Sequence, residues 1–316
     1  MKNNQVLFIV LVLFLALNST EIAAEEATEG DSFAERTIAI IDPFTKEIVK
    51  KISPSDYELV ADFSRFKNDV EKWVHQFANG TENSGGYLKP MILDKIGDHG
   101  EIIKGRPLIK VDEEGLVEQI IQHSFSGGEI ELPLKYIQSD YSEKDIPYLN
   151  EVVLASYSTN FKAYKTGRSK NIELSALAID NVIVGNNDIF SFNSVVGPRD
   201  VATGYQMAPE IIKGKMVMGI GGGICQTSST LFNAVDKLDL NIIERHNHSK
   251  DVGYVPKGRD ATVSFGGLDF KFQNTLGVPF LVKAYYQPGT ITIQIKTSKE
   301  YEQILKNELS QLPEDT

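Results

Sequence analysis

The sequence predicts an α+β fold in two parts, a small N-terminal α+β domain followed by a larger mixed α+β domain. Its 316 residues, of which 41 % are hydrophobic and 24 % charged, suffice for two domains of ordinary globular composition. Candidate helices are few, whereas several segments after Ile242 alternate in hydrophobicity as strands do. The charge is also divided, because residues 25–150 carry a formal charge of −11 and residues 151–316 carry zero.

The first 24 residues have the features of a secretory signal peptide. Lys2 precedes an apolar run from Val6 to Leu17, and Ile22-Ala23-Ala24 offers small residues for cleavage. The run is shorter than the roughly 20 residues that a membrane span requires. An uncleaved segment would instead tether the protein to the membrane. We therefore expect an extracytoplasmic protein, secreted or associated with the cell wall.

Residues 37–150 are expected to form the first domain. A strand is predicted at Thr37–Asp42, and apolar residues at three- and four-residue steps predict a helix between Tyr57 and Phe77. A strand, a helix and a strand follow at Ile102–Arg106, Asp112–His123 and Glu129–Pro133. The acidic charge of this part excludes the basic surface that nucleic-acid binding requires.

Residues 151–300 are expected to form the second domain, and residues 301–316 a polar tail. Helices are predicted over Ile172–Val184 and Cys225–Leu238, with a short strand at Asp188–Phe192 between them. Further strands are predicted at Ala261–Phe265, Phe270–Phe272, Phe280–Ala284 and Thr290–Ile295.

The most informative segment is Gly219–Thr230, in which four glycines precede Cys225, the one cysteine of the chain. Its spacing fits neither a dinucleotide-binding loop nor a Walker loop, so no nucleotide cofactor is expected. A helix that begins near Cys225 would stabilise a thiolate through its free N–H groups and its dipole. Gly222, Gly223, Gln226 and Ser228 would support the nucleophile or an oxyanion. The alternative is a buried structural cysteine.

Two histidines, His246 and His248, are candidates for the general base that a cysteine nucleophile uses. On a strand they would share one face, which makes a metal site a rival interpretation. Because no third ligand is evident in the sequence, we expect no metal. His248 is preferred as the base because Ser249 follows it and could fix its ring.

The second part of the chain resembles the VanW-domain family. The blocks that carry the resemblance lie between Tyr157 and Ile295, and they are Phe190-Ser191-Phe192-Asn193, Val196-Gly197-Pro198-Arg199, Gly221-Gly222-Gly223-Ile224-Cys225-Gln226, Glu244-Arg245-His246, His248-Ser249 and Gly258-Arg259-Asp260-Ala261-Thr262-Val263. Residues from about Gly100 to Leu134 are similar, more weakly, to the YoaR-like peptidoglycan-binding domain that often precedes a VanW domain.

The resemblance implies a cell-wall protein of a Gram-positive bacterium, with peptidoglycan as its partner. Some members of the family act as L,D-transpeptidases through the cysteine that corresponds to Cys225. Arg259, Arg199 and Asp260 are then candidates for substrate binding, with structural ion pairs as the alternative. A cysteine hydrolase on the same substrate and a non-catalytic wall-binding protein remain open.

Overall fold

The computed structural model describes residues 37–57, 59–81, 84–212 and 215–311. The predicted signal peptide, residues 1–24, lies outside these ranges. Within them, no helix combines the length and the apolar character that crossing a membrane requires.

The N-terminal part contains short strands and two longer helices. In chain order its elements are β1 (Ile38–Ile41), β2 (Ile48–Ile52), α1 (Leu59–Asn79), β3 (Gly80–Thr81), β4 (Ser84–Gly85), β5 (Leu88–Lys89), β6 (Lys95–Ile96), β7 (Ile102–Ile103), β8 (Leu108–Val111), α2 (Glu113–His123), β9 (Gly128–Glu131) and β10 (Leu134–Ile137). One sheet has the order β2-β1-β9, with β1 and β9 parallel, and another has the order β10-β8-β5.

A hydrophobic core joins these helices to the first sheet. Phe66 and Val74 of α1 and Leu116 of α2 are buried with Ile38 and Ile40 of β1. Asp112 caps α2 by accepting a hydrogen bond from the backbone of Gly115, and the acidic first turn suits the positive end of the helix.

The C-terminal part is larger. Its elements are β11 (Val152–Asn160), α3 (Thr166–Ile179), β12 (Val182–Val184), β13 (Ile189–Ser191), α4 (Phe192–Val196), β14 (Met207–Ile212), β15 (Lys215–Ile220), α5 (Ile224–Val235), β16 (Asn241–Glu244), β17 (Lys271–Gln273), β18 (Phe280–Gln287), β19 (Thr290–Thr297) and α6 (Lys299–Gln311). The predicted α+β class is confirmed.

An antiparallel sheet with the order β11-β19-β18-β12-β6-β7 is the framework of this part. Every second residue of β19 is buried, including Ile291, Ile293 and Ile295. Helices α3 and α5 pack on this sheet and on each other. A smaller sheet, β13-β17-β16, and the hairpin β14-β15 complete the fold around α5.

The segment between residues 91 and 103 packs with the second part, although the sequence analysis places it in the first domain. Strand β6 pairs with β12 through Lys95 and Val182. Met91 and Leu93 are buried in the same core as α3 and α5. Strands of two residues carry no periodicity in the sequence, so this pairing is not visible before the chain folds.

Three predicted elements differ from the structure. The helix predicted at Ile172–Val184 begins at Thr166 and ends at Ile179, because Asn181 adopts a left-handed φ of 64° and β12 follows. Residues 261–265 form a loop and not a strand, and the backbone N–H of Thr262 donates a hydrogen bond to the carbonyl oxygen of His246. The polar tail is helical from Lys299 to Gln311, where Ser298 accepts a hydrogen bond from the backbone of Tyr301.

Candidate functional site

Cys225 lies in the first turn of α5, directly after the glycine loop. Gly223 occupies the N-cap position with a φ of 114°, a conformation that favours glycine. Gly222 passes so close to β14 that a Cβ there would lie 2.4 Å from the carbonyl oxygen of Ala208. The glycines thus let the chain reverse tightly between the β14-β15 hairpin and α5. At the start of α5 the N–H groups of Ile224 and Gln226 donate to the carbonyl oxygens of Gly221 and Gly223, which leaves the N–H of Cys225 as the backbone donor that can stabilise negative charge.

The sulfur of Cys225 faces a loop that contains Thr262 and Val263. Its Sγ lies 3.7 Å from Oγ1 of Thr262 and 3.5 Å from the carbonyl oxygen of Val263. Cys225 is partly exposed, whereas the other residues of α5 are buried. It is therefore the residue of this helix that is not fully covered by the surrounding core.

His248 interacts with Cys225, and Asp260 orients the imidazole. Ring nitrogen Nδ1 of His248 lies 2.7 Å from a carboxylate oxygen of Asp260, which also accepts a hydrogen bond from the backbone of His248 at 2.6 Å. His248 lines the same cleft as Cys225, and the two side chains are close enough for each to shift the pKa of the other. The three side chains form a Cys–His–Asp arrangement of the kind that activates nucleophiles.

The charges in this arrangement favour an ion pair between thiolate and imidazolium. Burial opposes ionisation of Cys225, but the hydrogen bond and the charge of His248 outweigh it and lower the pKa of the thiol. Burial likewise opposes protonation of His248, yet Cys225 and Asp260 together raise its pKa. For Asp260, hydrogen bonds from His248 and Asn247 outweigh burial and lower the pKa of the carboxyl. The lowered pKa of Cys225 favours the thiolate, which is the reactive form of a cysteine.

A cleft of about 610 Å³ opens over Cys225. Its lining brings together α3, the hairpin β14-β15, the start of α5 and the two loops that carry His248 and Thr262. The volume suits a small peptide or another small-molecule substrate. On the hairpin side the cleft is bordered by Pro209, Glu210, Ile211 and Met216.

Arg168 is a cleft residue that the sequence analysis missed. It lies in the first turns of α3, and its guanidinium donates to Oε1 of Gln226 at 2.8 Å. Burial lowers the pKa of Arg168, and the neighbouring Tyr254 and Cys225 act in the opposite direction. Lys165 lines the same wall. A correct start for α3 would have placed Arg168 on that helix and Lys165 directly before it, but only the fold brings the helix to Cys225.

His246 does not share the environment of His248. Strand β16 ends at Glu244, so the two histidines lie on a loop and do not present one face of a strand. Nε2 of His246 lies 3.0 Å from Glu244, and its side chain is 41 % exposed. The expectation that the two rings point the same way was wrong, and His246 does not line the cleft that contains Cys225.

Gln226 and Ser228 stabilise the surroundings of the sulfur without pointing at it. The amide nitrogen of Gln226 donates to Thr159 at 2.9 Å and to the carbonyl of Asn160 at 3.0 Å. The hydroxyl of Ser228 donates to the carbonyl of Ala261 at 2.6 Å, which fixes the loop that carries Thr262. Their polar side chains are explained by these buried hydrogen bonds and not by a direct contact with an oxyanion.

The structure separates the three residues predicted to bind substrate. Arg259 pairs with Asp236 at 2.6 Å near the C-terminal end of α5 and does not line the cleft. Asp260 is hydrogen-bonded to His248 and does not line the cleft. The guanidinium of Arg199 lies 5.6 Å from the ring centres of both Phe192 and Phe265.

Arg199 nevertheless has an unusual environment. Its Nη1 donates to Asn193 at 2.7 Å, while Nε and Nη2 are buried without a hydrogen-bond partner in the described part of the chain. Burial lowers its pKa, and Cys225 is among the groups that act in the opposite direction. Arg199 therefore adds positive potential near the sulfur from outside the cleft lining.

No group of three or more His, Cys, Asp or Glu side chains among the described residues is arranged to hold a metal ion. The imidazole of His248 and the carboxylate of Asp260 are instead hydrogen-bonded to each other.

Residues 167–296, which contain this whole arrangement, match the family model described as VanW like protein. The chain belongs to the VanW family. It is 41 % identical over 220 residues to the uncharacterized protein YoaR of Bacillus subtilis (strain 168), a match that covers 69 % of this chain and 71 % of that protein. It is 28 % identical over 173 residues to the vancomycin B-type resistance protein VanW of Enterococcus faecalis (strain ATCC 700802 / V583), covering 52 % of this chain and 63 % of that protein. No solved structure gives a significant match.

Proposed function

We propose that this protein is a cysteine acyltransferase of the L,D-transpeptidase type that acts on peptidoglycan stem peptides outside the cell. The observation that carries the proposal is the Cys225–His248–Asp260 arrangement beneath an open cleft. Family membership supports a role at the cell wall, and the name of the enterococcal relative links that relative to vancomycin resistance. The signal-peptide features of residues 1–24 support export.

In the first half-reaction the thiolate of Cys225 attacks the carbonyl carbon of the donor peptide. The carbonyl oxygen becomes an oxyanion that the backbone N–H of Cys225 can stabilise. The imidazolium of His248 then gives its proton to the departing amine, and the C–N bond breaks. A thioester on Cys225 and a neutral imidazole remain.

In the second half-reaction an amine from another stem peptide attacks the thioester. His248 accepts the proton of this amine, a new amide bond forms, and the thiolate leaves. One amide bond is broken and one is formed, so the exchange requires no activated cofactor. Asp260 stabilises the imidazolium in both steps and holds the ring through Nδ1.

The proposal is tested by incubating the full-length protein with purified muropeptides that carry tetrapeptide stems. We expect wild-type protein to form cross-linked dimers and to gain the mass of an acyl group on Cys225. Cys225→Ala should do neither while keeping the wild-type circular dichroism spectrum. Shortened stem peptides without cross-linked dimers would identify a hydrolase instead. Unchanged muropeptides, together with no acyl adduct on Cys225, would indicate a wall-binding protein without catalytic activity.

A further inference from the structure

The cleft contains two cations whose charge has no counterion. Neither Lys165 nor Arg168 forms an ion pair with any residue that the structure describes, although the chain as a whole is strongly acidic. The hydrogen-bond partner of Arg168 is the neutral amide of Gln226. A partly buried guanidinium that is not neutralised by the protein is suited to an anionic ligand.

Arg168 is held next to the nucleophile. Its aliphatic stem covers Gly223, where an added Cβ would lie 2.9 Å from Cγ of Arg168. Its guanidinium binds Gln226, the residue after Cys225. The charge of Cys225 also affects the pKa of Arg168, which places the two groups within electrostatic range. A group bound by Arg168 would therefore lie beside the bond that Cys225 attacks.

The acidic residues of the cleft do not occupy this position. The carboxylate of Asp251 lies 3.7 Å from Lys257. The carboxylate of Glu210 folds back over Gly219 of its own hairpin, where an added Cβ would lie 1.7 Å from Oε1. Burial raises the pKa of Glu210, which favours its neutral form relative to an exposed glutamate. The wall formed by α3 thus remains cationic.

We propose that Lys165 and Arg168 form a carboxylate-binding subsite, and that the cleft selects acyl donors with a free carboxylate close to the scissile amide. Arg168 provides directed hydrogen bonds from its planar guanidinium, whereas the exposed Lys165 contributes a mobile charge at the rim. This inference rests on the proposed function for the identity of the donor. The subsite itself is defined by the residues around Cys225.

The test compares alkylation of Cys225 by iodoacetate and by iodoacetamide in the full-length protein. The two reagents form the same thioether with loss of iodide, but only iodoacetate carries a carboxylate next to the reacting carbon. We expect Arg168→Gln to reduce the ratio of the iodoacetate rate to the iodoacetamide rate about tenfold. This factor corresponds to the free energy of one charge-assisted hydrogen bond in a partly exposed site. The ratio cancels any change in the thiolate fraction that the variant causes.

Lys165→Gln should reduce the ratio less, and Arg168→Lys should restore part of it. Lys170→Gln is the matched control, since it removes a cation from the same helix. Lys170 pairs with Glu173 and does not line the cleft. In a second assay, stem peptides ending in a carboxylate should acylate wild-type Cys225 faster than the same peptides ending in a carboxamide. Arg168→Gln should reduce that preference.

An unchanged reagent ratio in Arg168→Gln, with a wild-type circular dichroism spectrum, would overturn the subsite while leaving the nucleophile in place. Failure of both reagents to modify wild-type Cys225 would overturn the proposed nucleophile and the subsite with it. The two failures are therefore distinguishable.

Discussion

The carboxylate of Asp260 accepts hydrogen bonds from both the backbone nitrogen of His248, at 2.6 Å, and its ring nitrogen Nδ1, at 2.7 Å. Its other oxygen accepts from the side-chain amide of Asn247 at 2.7 Å. The side chains of His248 and Asp260 are only 7 % and 8 % exposed. Backbone and side chain of His248 are thus fixed by one buried carboxylate, so the imidazole has a defined orientation in the cleft that contains Cys225.

Asp260→Asn should slow formation of the acyl-enzyme by roughly 10²–10⁴-fold, because the amide keeps the shape but removes the charge that stabilises the imidazolium. The rate is measured from the mass increase of the intact protein after mixing with muropeptide. Asp236→Asn is the control, since that carboxylate holds Arg259 outside the cleft. An acylation rate equal to wild type in Asp260→Asn would show that the imidazole needs no buried partner.

The reactivity of Cys225 should depend on pH through His248 and not through His246. The imidazolium lowers the pKa of Cys225, so alkylation by iodoacetamide should have its midpoint below the value of about 8.5 of a free cysteine. Without the imidazole, burial favours the neutral thiol, and His248→Ala should therefore raise the midpoint. His246→Ala should leave it unchanged.

The same pair predicts both limbs of the pH profile for peptide transfer. The rate should increase as pH rises through the lowered pKa of Cys225, because the thiolate forms there. It should decrease as pH rises through the raised pKa of His248, because the proton needed by the leaving amine is lost. A midpoint for alkylation that is the same in wild type and His248→Ala would contradict the assigned pair.

The glycine loop should tolerate no side chain. Gly222→Ala would place a Cβ 2.4 Å from the backbone oxygen of Ala208, and Gly223→Ala would force a φ of 114° on a residue that avoids it. We expect each to lower the free energy of unfolding by roughly 1–3 kcal/mol and to slow alkylation of Cys225. Gly253→Ala, in the same cleft but with no atom within 4 Å of the added Cβ, is the control for denaturant unfolding.

The helix that begins near Cys225 could be predicted from the sequence because it depends on adjacent residues. Glycines, Cys225 and the apolar pattern of α5 lie in one short segment, and the structure has α5 at Ile224–Val235. The contact between Asp260 and His248 could not be predicted from the sequence, because 12 positions and a loop separate the two residues. The preference for His248 rested on Ser249, yet the structure shows that Asp260 provides the orienting contact.

The division into domains shows the same limit at a larger scale. The predicted boundary near residue 150 rests on a change in charge along the sequence, whereas the pairing between strands depends on the folded chain. The short β6 joins β12, and Met91 and Leu93 complete the core around α3 and α5. The two parts are therefore connected by more than the chain that links them.

Leu93→Ala and Leu116→Ala should destabilise different parts of the protein. Leu93 is 5 % exposed in the core with α3 and α5, and Leu116 is fully buried between α2 and the first sheet. Each truncation removes a buried side chain and should cost about 2–5 kcal/mol. Hydrogen exchange followed by mass spectrometry locates the effect, because amides exchange faster where local stability falls.

We expect Leu93→Ala to accelerate exchange in β12, β18 and α5 while leaving β1 and β9 near their wild-type rates. Leu116→Ala should do the opposite, since its neighbours are Ile38, Ile40 and Ile130. The physical reason is that each leucine fills one core, and a cavity weakens first the elements that line it. If Leu93→Ala instead accelerated exchange in β1 and β9 alone, residues 91–103 would be energetically part of the first domain despite their pairing with β12.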